Sequence, residues 1–96
     1  MDEDEKQHIF KLLDWLLEEV ESAGGDGDGV WLTEIYDVAD LFPIIHSHLE
    51  RGNRWKELRL EGKSIHISNQ QEWLVITNDR DYYNNLPNWI QVKVDW

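Results

Sequence analysis

The chain has 96 residues, enough for one hydrophobic core and too few for two, so a single domain over residues 1–96 is expected. It contains no cysteine, which excludes disulfides and thiolate metal sites, and no apolar run approaches the ~20 residues of a membrane span. The net charge of −11 creates a field that repels phosphate backbones and anionic lipid.

That charge is uneven. Residues 1–50 hold fourteen Asp/Glu against two Lys, a balance of −12. Residues 51–96 hold seven Lys/Arg against six Asp/Glu, a balance of +1. No charged and then apolar leader pattern opens the chain, so a cytoplasmic location is the expectation.

The first element is the clearest. Ile9, Leu12, Leu13, Leu16, Leu17 and Val20 recur at helical spacing and predict a helix over about Glu3–Ser22. Asp14, Glu18 and Glu21 fall on the opposite side with Lys11, and the acidic run at 2–5 complements the helix dipole at the first turn. Phe10 and Trp15 flank the apolar stripe and widen it. Gly24 and Gly25 supply a stop, because glycine adopts the left-handed cap conformation without steric penalty.

A short strand is expected at 30–32. Thr33 is a good N-cap, and Ile35, Val38, Ala39 and Phe42 make one apolar face, predicting a second helix over 34–42. Pro43 interrupts that pattern but suits a first turn, so a third helix is expected over 43–51, buried by Ile44, Ile45 and Leu49. From residue 57 the apolar period changes to two. Leu58 and Leu60 alternate with Glu57, Arg59 and Glu61; Ile65 and Ile67 alternate with His66. These are two strands, Glu57–Glu61 and Ser64–Ser68, turning at Gly62-Lys63. Trp73-Leu74-Val75-Ile76 is apolar on both faces, as in a strand covered twice. Residues 78–88 read as a connection anchored by Tyr82, Tyr83 and Leu86, and 90–96 as a last, half-exposed strand.

Helices followed by strands predict an α+β domain, with three helices packed on one face of an antiparallel sheet of three to four strands. The order helix, helix, helix, hairpin resembles a winged helix in outline. No family fingerprint accompanies that order.

Two motifs hint at metals. Gly25-Asp26-Gly27-Asp28-Gly29 resembles part of an EF-hand loop, whose carboxylates gather around calcium. With Gly29 at the loop's glycine position, Asp26 and Asp28 take ligand positions. The first ligand position then falls on Gly24 and the closing one on Ile35, with Glu34 one residue early. Two anchoring carboxylates are missing, and no calcium site is expected. His46-Ser47-His48 looks like a metal pair. On a helix, however, residues two apart point about 200° apart and cannot hold one ion. His46 and Glu50 share a face as a surface contact. No metal and no cofactor is expected.

No nucleophile motif, phosphate-binding loop or His-Glu-x-x-His is present, and an enzyme is not expected. Most of the six tryptophans are expected to fill a small core, with the remainder at an interface. The favoured reading is a small acidic protein-interaction module of the adaptor, inhibitor or nucleic-acid-mimic type. A basic protein partner would meet Asp14, Trp15, Glu18 and Glu21. The alternative is a winged-helix-like nucleic-acid-binding protein. It would use Arg51, Arg54, Lys56, Arg59 and Lys63, which face only Glu57 and Glu61 locally, with His46 and His48 on the same side. The overall charge disfavours that alternative. No membrane partner is expected, and oligomeric state is open.

Overall fold

The computed structural model describes residues 2–22, 29–52, 55, 57–69, 72–86 and 91–92. Along them run α1 (Glu3–Ser22), β1 (Gly29–Leu32), α2 (Val38–Gly52), β2 (Glu57–Glu61), β3 (Ser64–Ser68), β4 (Trp73–Thr77), α3 (Arg80–Asn84) and β5 (Gln91–Val92). The domain is mixed α+β, and among the described residues no helix is long and apolar enough to cross a membrane.

The sheet has the strand order β2-β3-β4-β1-β5. β2, β3 and β4 form an antiparallel meander. β1 inserts between β4 and β5 and runs parallel to both. The expected purely antiparallel sheet is thereby corrected to a mixed one. The turn at Gly62-Lys63 joins β2 to β3 as expected. Its first position needs a positive φ, and Gly62 sits at +57° without the strain a side chain would bring.

The helices divide between two faces, which corrects the expectation of three on one. Ile9, Leu13, Leu16 and Leu17 of α1 and Leu41 and Ile45 of α2 pack on Trp31, Ile65, Ile67, Leu74 and Ile76. The other face of β1 and β4 offers Val30 and Val75, and Tyr83 of α3 covers them together with Leu86. β4 is thus buried on both sides, the reason its sequence is continuously apolar.

The winged-helix order is not upheld, because the expected helices at 34–42 and 43–51 are one helix. α2 begins at Val38 and passes through Pro43. Proline removes one i→i−4 bond, here to the carbonyl of Ala39. Ala39 and Pro43 both lie on the exposed side, where water can reach that carbonyl. Val38, Leu41, Ile45 and Leu49 form a continuous buried stripe across the proline, and their packing holds the helix together.

The start of α2 is set from a distance. Ile35, read as part of an apolar helix face, lies in the turn before α2 and is 69% exposed. Thr33 does not cap α2. Asp37 does, its carboxylate accepting from the Ala39 N–H at 2.9 Å. Asn78, just past β4, accepts from the Val38 N–H at 2.8 Å and donates to the carbonyls of Thr33 at 2.6 Å and Tyr36 at 2.8 Å. Its own N–H donates to the Lys63 carbonyl at 2.9 Å. One side chain therefore ties the β1–α2 turn to the end of β4. Asp79 then caps α3, accepting from the N–H groups of Asp81 and Tyr82.

Candidate interaction surface

α1 buries Ile9, Leu12, Leu13, Leu16, Leu17 and Val20, the residues its periodicity predicts. Burying that stripe turns Trp15 outward, and it is 48% exposed. Glu18 and Glu21 are exposed on the same helix. Asp14 is different. Its carboxylate accepts a hydrogen bond from His48 Nε2 on α2 at 2.8 Å. The His48 ring stacks on Phe10, with centroids 4.4 Å apart and planes within 5°. Asp14 and His48 thus join the two helices, while Trp15, Glu18 and Glu21 face solvent.

His46 points elsewhere. Its Nδ1 lies 3.6 Å from Glu50 Oε2 on the exposed side of α2, the surface contact their spacing predicts. The two histidines diverge, as residues two apart on a helix must.

Among the described residues, the basic side chains of the alternative reading, Arg51, Arg59 and Lys63, do not converge. Arg51 ends α2 and lines a groove between the helices with Glu3, Lys6 and Phe10. Arg59 projects from the opposite side of the sheet, since Leu58 and not Arg59 packs toward the helical core. Arg59 Nε pairs with Glu61 Oε1 at 3.2 Å. Lys63 sits exposed in the hairpin turn. Arg54 and Lys56 lie outside the described residues, as do Asp26 and Asp28 of the glycine-rich loop.

Sequence reasoning missed a cleft on the outer face of the sheet. It has a volume of about 230 Å³ and is lined by Glu57, Arg59, His66, Ser68, Trp73 and Tyr82. The alternation of β2 and β3 correctly turns Glu57, Arg59 and His66 to this side. Tyr82 lines it from α3, a helix of five residues with no apolar period to announce it.

Within this cleft, burial pushes the His66 imidazole below its ordinary value of 6.5. The Arg59 guanidinium acts in the same direction, and Glu61, 3.8 Å from His66 Nε2, opposes both. In the pH window between the lowered folded value and 6.5, the unfolded chain holds a proton that the folded chain does not. Stability from this group is therefore complete above 6.5 and falls as pH drops through that window. His66→Gln should flatten this part of the profile. Urea denaturation of both proteins at intervals between about pH 5 and 7 measures it, and identical slopes would contradict the assignment.

Comparison of the chain with protein-family models, with curated proteins and with solved structures yields no match.

Proposed function

We propose that this protein is a non-enzymatic protein-interaction module that receives a basic partner on the outer face of α1. The observation carrying this reading is Trp15, 48% exposed on a helix whose neighbouring solvent-facing side chains include Glu18 and Glu21. A half-exposed tryptophan is a costly surface residue and a strong interface anchor, since it desolvates a large area while fixing only two side-chain torsions. The carboxylates around it raise the encounter rate with a cationic surface. The −12 balance of residues 1–50 extends that field beyond the helix itself.

The nucleic-acid alternative finds less support. Arg59 is paired with Glu61, and Arg51 lies across the sheet from it, so these cations do not add along one phosphate track.

The test uses partners recovered from lysate by the wild-type chain and then measured singly. Glu18→Lys with Glu21→Lys should slow association about tenfold at low salt, and the difference should shrink as salt rises. Trp15→Ala should weaken affinity by about thirtyfold, mostly through faster dissociation. Neutralising Arg59 and Lys63 should leave binding unchanged or improved. A large loss from that basic variant alone, with a salt slope reduced by roughly one per lost phosphate contact, would overturn the proposal in favour of nucleic-acid binding.

A further inference from the structure

Among the described residues, β2 is an outermost strand of the sheet. The phase of its hydrogen bonds follows from the structure. Asn78 donates to the Lys63 carbonyl at 2.9 Å, in register with the paired residues Ser64 and Thr77. Bonded and non-bonded pairs alternate in an antiparallel ladder. Ile65 and Ile67 therefore bond to β4, while Ser64, His66 and Ser68 bond to Glu61, Arg59 and Glu57 of β2. The backbone groups of Leu58 and Leu60 are left pointing out from the sheet edge. Leu60 is also 38% exposed, beyond the cover given by α2.

An open edge of this kind templates another strand, and the side chains decide which. We infer that the β2 edge pairs antiparallel with β2 of a second copy of this chain, about a two-fold axis at Leu60. The inference is independent of the α1 reading, because the main contact of α1 with the sheet is on β4, two strands from the β2 edge.

The charges favour a second copy as partner and exclude one register, and the exposure of Leu60 separates the other two. Bonding requires Leu58 or Leu60 of one copy to face Leu58 or Leu60 of the other. Placing Leu58 against Leu60 sets Arg59 against Arg59 and Glu57 against Glu61, with like charges opposed at each position. Placing Leu58 against Leu58 matches Glu57 with Arg59 but leaves Glu61 opposite Trp55. Placing Leu60 against Leu60 sets Arg59 against Glu61 of the second copy, with the reciprocal pair by symmetry. The same arrangement buries Leu60 against its symmetry mate. A two-fold interface must be self-complementary, and the run Arg59-Leu60-Glu61 meets that condition about Leu60.

In this register only Arg59, Leu60 and Glu61 of each copy overlap, so the buried area is small and the dimer weak, with a dissociation constant on the order of 0.1 mM. The net charge of −11 on each copy opposes association at long range, and salt relieves that opposition while also screening the pairs. Salt dependence therefore does not discriminate, and a charge exchange does. Sedimentation equilibrium of the full chain should report a monomer–dimer equilibrium. Arg59→Glu should weaken it about tenfold, because two attractive cross-strand pairs become repulsive. Combining Arg59→Glu with Glu61→Arg should restore it to within about threefold of wild type. These residues are exposed, so the monomer fold tolerates the changes. In a chain with no cysteine of its own, Leu60→Cys should oxidise to a disulfide dimer faster than Leu58→Cys. Bonded cross-strand pairs place their Cα atoms about 5.5 Å apart, within disulfide reach. A chain that stays monomeric up to about ten times that dissociation constant would overturn the inference. So would a dimer indifferent to Arg59→Glu, failure of the exchanged pair to recover, or faster crosslinking at position 58.

Discussion

Trp31→Ala is expected to cost about 4 kcal/mol of folding stability, whereas Trp15→Ala should change it by no more than about 0.5 kcal/mol. The two residues are chemically identical and differ only in where the fold places them. Trp31 is 1% exposed, on the inserted strand β1, and its side chain belongs to the cluster made by α1, α2 and the inner sheet face. Truncation removes its apolar surface and leaves a cavity between a sheet and two helices, neither of which can collapse without disturbing the other. For a domain of this size, the loss lowers the melting temperature by about 20 °C. Thermal denaturation followed by circular dichroism measures both variants. Equal shifts for Trp31→Ala and Trp15→Ala would contradict the assignment of one tryptophan to the core and the other to an interface.

Asn78→Ala is the second large effect, at about 3 kcal/mol. Three bonds are lost with the side chain, each with a net value of about 1 kcal/mol. Among them is the bond to the Val38 N–H, one of the donors a helix leaves unpaired at its start. The carbonyls of Thr33 and Tyr36 are stranded at the same time. Urea denaturation gives the loss in stability. Amide exchange gives its location, since the Val38 N–H should exchange faster relative to the core strands. A cost under about 1 kcal/mol would mean that water replaces Asn78 at all three partners.

Much of the secondary structure was legible because it rests on local periodicity. α1 runs from Glu3 to Ser22, as its apolar stripe requires. The hairpin of β2 and β3 follows from two alternating runs and one glycine turn. β4 reads as doubly covered because four apolar residues in succession leave no face for water. Of the proposed interaction surface, Glu18 and Glu21 were legible for the same reason: on an amphipathic helix the buried stripe dictates what faces outward, whereas Trp15 reads as widening that stripe and is 48% exposed. Asp14 was not. It shares that outward side by periodicity, yet it is engaged by His48, 34 residues away.

What the sequence determined by itself was the helical character of α1 and the extended character of β2, β3 and β4, with their apolar faces, since these depend on neighbours within a turn or two. Tertiary structure decided where those faces meet. Val30 and Trp31 are too few to carry a period, and only pairing with β4 and β5 makes them the inserted parallel strand. Pro43 divides the sequence pattern into two helices, and packing of Val38, Leu41, Ile45 and Leu49 on one sheet face rejoins them. Thr33 had the better local signal for a cap, but Asn78 supplies part of the cap of α2 from 40 residues away. The cleft beside His66 takes one of its lining residues, Tyr82, from α3, which has no signal of its own in the sequence. Each of these outcomes is set by contacts between residues far apart in the chain, and local propensities of a few tenths of a kcal/mol per residue yield to the larger free energy of burying a shared core.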